Sequence, residues 1–378
     1  MSSSAPDRCP VCTRAALERV LEARALPVFL NVLWPTREQA LAAPRGDIRL
    51  AFCRGCGMLW NTAFDPELVR YSPEYGNSLH FSPSFQRFAG ALAARLVYRY
   101  GLHDKQVVEV GCGDGDFLRL LCDGTGNRGV GYDPAYPGDP DASGTPAFVR
   151  DFYGGEPADF LCCRHVIEHV EAPKKLLESL APAATVYFEM PDGGYMLREA
   201  SIWDLIYEHA NYFTAPALRR LFEDAGYGVL DLDTSFGGQF LYVEAARGRN
   251  GHADCSSAAE LATWVAGFEH AYRTKIDACA RRLRTLLDNG RTVAVWGAGS
   301  KGMSFLNMVP GGDRIAHVVD LNPRKHERFV PGTGQEIRSP ESLRGSGADV
   351  VLAMNRVYED EIRRALEDLG VRAEVLRV

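Results

Sequence analysis

Residues 107–117, VVEVGCGDGDF, constrain the fold more than any other stretch of this 378-residue chain. Val107, Val108 and Val110 make the short apolar run of a buried parallel strand, interrupted by Glu109. Gly111, Gly113 and Gly115 follow at alternate positions, and Phe117, Leu118, Leu120 and Leu121 begin a helical pattern. Strand, glycine loop and helix in that order form the ligand-binding unit of a doubly wound α/β sheet. The glycines permit positive φ and let the backbone lie against a ligand with no Cβ between them. The next strand, GVGYDP, ends in Asp133, an acid able to accept both hydroxyls of a ribose. A dinucleotide-binding fold would also carry a lone GxGxG.

Glu-x-Gly-x-Gly-x-Gly with Asp133 at the next strand end resembles the class I S-adenosylmethionine (SAM) methyltransferases. SAM has no pyrophosphate, so such a loop must hold an amino acid and a sulfonium, for which Glu109 is a counter-charge. Residues 148–153, FVRDFY, read as a strand end that sets Asp151 and Phe152 beside an adenine, although an aromatic there is as often plain core. A strand through residues 160–163 ends at Arg164-His165, which is expected to open a helix with His169 at i+4. Ligands of open α/β sheets bind outside strand carboxyl ends, so His165 and His169 are expected to face the site from one helix side. That spacing also suits a metal, but no third ligand is evident in the sequence.

Two CxxC pairs lie upstream, Cys9/Cys12 and Cys53/Cys56, and together supply four sulfurs for one tetrahedral structural zinc. A redox role for the pairs is the rival reading. Residues 27–35 and 47–53 look like short strands or extended segments. Residues 71–84 are rich in Pro, Tyr, Ser, Asn and Gly and read as a loop. Tyr71, Tyr75, Asn77, Ser78 and His80 within it suit a substrate lid or, equally, a solvated linker. Helical periodicity runs from Phe85 to about Tyr100.

The composition is that of a globular protein, 46% hydrophobic and 24% charged. A net charge of −7 argues against a nucleic-acid surface. No apolar run approaches membrane-spanning length, and the start shows no export signal, so a cytoplasmic location with reduced cysteines is expected.

Farther along, Tyr207, Glu208, His209 and Tyr212 are polar groups in an otherwise apolar stretch. Thr214 reads as the cap of a helix to about Ala225, and residues 229–246 as an antiparallel hairpin. Residues 250–257 are polar and mark a boundary. Residues 258–287 read as a long helix, or two, interrupted near Gly267. A second α/β unit then carries GAGSKG (297–302), with Asp320 at the spacing of an NAD ribose acid. The expected α/β architecture has three parts: a small zinc-binding domain with the lid loop, 1–84; a SAM methyltransferase domain, 85–250; and a linker helix with a C-terminal Rossmann-like domain, 251–378.

The order of the CxxC pairs, the Tyr75 loop, EVGCGDG, RHVIEHV, Glu208-His209 with Tyr212-Phe213, and GAGSKG…VVDLNPRK…VPGTG resembles the zinc-containing sugar-nucleotide C-methyltransferases, which act on TDP-linked ketosugars. The resemblance covers nearly the whole chain. It implies that His209 is a base with Glu208 beside it, that Tyr75 and His169 line the sugar, and that the C-terminal domain helps hold the substrate. The family usually has Tyr-x-Glu-His; here Tyr207 stands one place closer to the pair. Where the family tends to carry a histidine after Pro-Gly-Thr, this chain has Gly334-Gln335. The expected activity is C-methylation alpha to a carbonyl in natural-product or polysaccharide biosynthesis. O- or N-methylation of a small molecule and a NAD-dependent oxidoreductase or nucleotide-binding module are the alternatives.

Overall fold

The computed structural model describes residues 8–15, 17–69, 75–76, 78–140, 144–180, 183–248 and 257–378. Tyr71 and Asn77 of the expected lid, and boundary residues 250–256, lie outside the described residues.

The central sheet has seven strands in the order Tyr227–Ser235, Phe240–Arg247, Ala183–Pro191, Ala158–Arg164, Gln106–Val110, Arg128–Tyr132 and Ala147–Val149. The last five pair in parallel, and Phe240–Arg247 runs antiparallel to both its neighbours. From Gln106–Val110 the chain first winds to one side, to Arg128–Tyr132, and later returns to the other, to Ala158–Arg164. The reversal leaves a crevice at the carboxyl end of Gln106–Val110, where ligands of open α/β sheets bind. This is the class I methyltransferase arrangement, and the glycine loop stands at its switch point.

An antiparallel sheet of four strands precedes it: Leu17–Pro27, Arg45–Cys53, Leu59–Asn61 and, from far along the chain, Asn211–Tyr212. Leu17–Pro27 escapes sequence reading because two register shifts break its alternation. Of residues 27–35, read as a strand or an extended segment, Pro27 ends the first strand and the rest make isolated bridges, Val32 to Tyr75 and Trp34 to Phe329. Val28, Phe29 and Leu30 there are buried in the core instead.

The third sheet has six strands, with Val293–Trp296 flanked by His317–Val319 and Val350–Ala353. The helix Ala258–Asp288 that leads into it is continuous, opened by a Ser257/Glu260 capping box. Gly267 does not interrupt it, because one exposed glycine costs only about 1 kcal/mol against thirty other residues. Another helix, Pro83–Tyr100, starts two residues before its apolar pattern, where Ser82 caps the Phe85 N–H at 3.3 Å. No helix among the described residues is long and apolar enough to cross a membrane.

The three parts are bound to one another. A single apolar core joins Leu21 and Ile48 of the first sheet to Trp203, Phe268 and Phe305. Arg324 reaches from the C-terminal part to Asp114 of the glycine loop at 2.9 Å, and Ser82 donates to Glu361 at 2.8 Å.

Candidate active site

A cavity of about 690 Å³ lies between the glycine loop, the residues around Tyr75 and His80, and the GAGSKG loop. Glu109, at the end of its strand, is 2% exposed, and its Oε2 has no hydrogen-bond partner. Burial pushes its carboxyl up to about 8, against the opposing pull of Arg164. A buried acid with one oxygen unpartnered on the cavity wall fits a cationic ligand group, which would supply the missing charge.

Gly111 and Gly113 also line the cavity. A Cβ on Gly111 would meet Val166 at 2.1 Å, whereas one on Gly113 would meet nothing within 4 Å and would stand in ligand space. Gly115 does not line the cavity: it packs under Phe148 at φ +80° and starts the helix Asp116–Cys122. Asp133 accepts from the Gly113 N–H at 2.8 Å and from the Ala135 N–H at 2.7 Å, so it braces the loop. Each carboxylate oxygen retains a further lone pair for a hydroxyl. Asp151 and Phe152 stand beyond the short strand Ala147–Val149, on the cavity rim, with Phe152 77% exposed. This group of residues fits SAM: an acid for its cationic end, an acid for its ribose and an exposed aromatic for its base.

Arg164 lines the cavity but is committed elsewhere. It grips Glu189 with two nitrogens, at 3.0 and 2.8 Å, and lies over the Phe117 ring at 4.1 Å. Glu189 also accepts from Tyr187 and Ser235. Burial opposes its charge, but Arg164 and His165 hold its carboxyl down at about 2.

Residues 165–169 do not form the expected helix. His165 takes φ +55°, and Ile167–His169 is a single 3₁₀ turn. The turn still brings His165, Glu168 and His169 to the cavity. Glu168, which the sequence reading passed over, is buried between them, 3.7 Å from His165 Nδ1 and 4.0 Å from His169 Nε2. Burial works against its charge, yet the surrounding histidines, His165 foremost, leave its pKa below the ordinary value. The i+3 and i+4 pattern EH after His165 was the available signal.

His209 joins this group from a loop forty residues later. The Tyr212 hydroxyl accepts from the Ile206 N–H at 3.1 Å and donates to the Ile206 carbonyl at 2.8 Å, closing the loop. Asn211 donates to the Val170 carbonyl at 2.6 Å. These contacts set the His209 ring 4.8 Å from that of His169, edge to face. Burial, then the neighbouring His169, hold the His209 pKa down to about 3, so its ring is neutral near pH 7. Glu208 accepts from the Leu30 N–H at 3.1 Å; burial raises its carboxyl to about 7, opposed by the Leu30 N–H and the Tyr75 hydroxyl.

Tyr207 is not on the cavity wall. Its ring covers Gly46 and stacks on Phe64 at 5.9 Å, and its hydroxyl accepts from the Asp65 N–H at 3.0 Å. Tyr207→Phe should therefore cost about 1 kcal/mol of stability and leave turnover unchanged, as checked by denaturant unfolding beside an activity assay. Thr214 stands at the helix start as expected, but its hydroxyl donates to the Gly57 carbonyl at 2.9 Å and ties that helix to the cysteine knuckle.

The four CxxC sulfurs lie within 4.8 Å of one another, with Cys9–Cys56 and Cys12–Cys53 each at 3.5 Å. A tetrahedron with metal–sulfur bonds of about 2.3 Å has edges of roughly 3.8 Å, so the cluster has the dimensions of a four-thiolate zinc site. In the C-terminal part, Asp320 accepts from the Ala298 and Asn322 N–H groups at 2.7 and 2.8 Å.

A family model described as a methyltransferase domain matches residues 85–232, and one described as a C-methyltransferase C-terminal domain matches residues 254–373. The chain is 26% identical to the C-methyltransferase NovU of Streptomyces niveus, over 94% of this chain and 91% of that protein. Among solved structures, magnesium protoporphyrin IX methyltransferase of Synechocystis PCC 6803 aligns with 43% of this chain and 83% of its own, at 21% identity and a TM-score of 0.34. The 1,6-didemethyltoxoflavin-N1-methyltransferase of Burkholderia thailandensis aligns with 42% and 78%, at 17% identity and 0.34. With a match to a methyltransferase domain followed by one to a C-methyltransferase C-terminal domain, and similarity to a C-methyltransferase along nearly its whole length, the chain is a SAM-dependent methyltransferase that resembles the C-methyltransferases.

Proposed function

We propose that the enzyme methylates the carbon alpha to the carbonyl of a nucleotide-activated ketosugar, through an enolate, with His209 as the base. The observation that carries this reading is the seating of His209. It is a neutral imidazole, held by a hydrogen-bonded loop, on the wall of the same cavity as Glu109 and Asp133. SAM, when bound, supplies the methyl group as an electrophile.

His209 takes the carbon-bound proton on a ring nitrogen. The imidazolium so formed faces the buried Glu168 carboxylate, which balances its charge. Tyr75, which lines the cavity and hydrogen-bonds Glu208, is the hydroxyl proposed to meet the developing oxyanion. His169 cannot serve as that donor in its neutral form. Its Nδ1 lies 3.0 Å from the Glu208 carbonyl, which only accepts, so the proton is on Nδ1 and Nε2 presents a lone pair. The GAGSKG loop forms part of the cavity wall and is proposed to hold the nucleotide of the substrate. The four-cysteine cluster is proposed to hold one structural zinc, which supplies folding free energy and no chemistry.

Incubation with a TDP-linked ketosugar and SAM should give a product carrying one added methyl, which NMR places on carbon. A methyl on oxygen or nitrogen would overturn the enolate step. For the cofactor side, Asp133→Ala removes a charged acceptor worth about 1.5–3 kcal/mol and a brace of the loop. SAM affinity by calorimetric titration should fall roughly 10–100-fold, and an unchanged affinity would remove Asp133 from the site.

A further inference from the structure

The turn after Ala158–Arg164 and the Tyr212-closed loop bring together a donor set that spacing alone did not reveal. Glu168, His169 and His209 present ligand atoms that all lie within 4.8 Å of one another, on the cavity wall. Two imidazoles and a carboxylate suit the borderline divalent ions, zinc, cobalt, nickel and iron(II). Two further observations point to a ligand. Glu168 is 2% exposed, and its Oε2 has no hydrogen-bond partner. Two of the three ligands are oriented from behind as metal ligands usually are: His169 gives its Nδ1 proton to the Glu208 carbonyl at 3.0 Å, turning the Nε2 lone pair toward Glu168, and the Glu168 carboxylate has His165 beside it at 3.7 Å.

We propose that Glu168, His169 and His209 bind one divalent transition-metal ion, and that this ion and substrate deprotonation exclude each other. The ion takes the His209 lone pair that would otherwise accept the proton. Three protein ligands leave the remaining coordination positions open to the cavity. Binding requires the three donor atoms to close by about an ångström, to ligand bonds of roughly 2.0–2.2 Å, which side-chain rotation supplies. The binding claim stands on its own; the exclusion claim rests on His209 being the base.

The test is a cobalt(II) titration of the protein carrying one equivalent of zinc, which the four-thiolate cluster takes first. Wild type should bind one further equivalent and show visible d–d absorption without a thiolate-to-cobalt charge-transfer band, which marks a site free of sulfur. Glu168→Gln and His169→Asn should each weaken that binding by at least the roughly 10–100-fold that loss of an outer-shell partner costs, with circular dichroism and SAM affinity reporting that the fold is intact. Absence of the sulfur-free band, or its persistence unchanged in both variants, overturns the site. Methylation should fall in step with cobalt occupancy and recover on dialysis; turnover that holds or rises with occupancy overturns the exclusion. Failure of the base assignment would show separately, as full activity in His209→Asn, and would leave the cobalt result readable.

Discussion

In His209→Asn, both methylation and exchange of the substrate alpha proton with deuterated solvent should fall about 10²–10⁴-fold, the usual worth of a general base, while SAM still binds. Asparagine keeps much of the volume and some hydrogen bonding of histidine but cannot take a proton near neutral pH. The loop itself is held by Tyr212 on the Ile206 backbone and by Asn211 on the Val170 carbonyl, so the substitution leaves its closure in place. Exchange is to be measured with S-adenosylhomocysteine in place of SAM, which isolates proton removal from methyl transfer. Glu208→Gln should cost less, because an amide oxygen can still accept from the Leu30 N–H. A drop of only a few fold in His209→Asn would assign the proton to another group.

Cys53→Ala should turn soluble protein into aggregate, and metal analysis of the wild type should find about one zinc per chain when chelators are avoided. Structural zinc in small domains contributes on the order of 10 kcal/mol of folding free energy, which exceeds the stability of many whole domains. The cluster also sits where the parts of the molecule meet. Cys9 and Cys53 share a core with Phe213 and Ala217, and Gly57 of the second knuckle accepts from Thr214. Loss of the zinc should therefore also loosen the strand Asn211–Tyr212, two residues from His209. Zinc-free wild type that remains soluble and active would end the structural-zinc assignment.

The features legible in the sequence were those whose chemistry is local. The glycine loop announces itself because strand, turn and helix are consecutive, and the CxxC pairs because each knuckle is four residues long. Asp133 lay within reach because the fold places an acid one strand later. The readings that differ from the structure concern groups whose setting is decided by distant segments. Tyr207 and His209 are two residues apart, yet one is packed under Phe64 and Gly46 and the other faces the cavity. Residues 165–169 have helical spacing but make a single turn, with His165 at positive φ where its N–H bonds the Glu189 carbonyl at 2.7 Å.

Glu168 illustrates what only tertiary structure decided. In the chain it is an acid between an isoleucine and a histidine. In the fold it is a desolvated carboxylate surrounded by His165, His169 and His209, the last brought there by strand pairing of Tyr212 with Leu59. Spacing along a chain conveys which neighbours share a turn or a strand face. Which groups from separate segments meet in one dry cavity depends on packing that no local pattern encodes, and there burial and neighbouring charge set the chemistry.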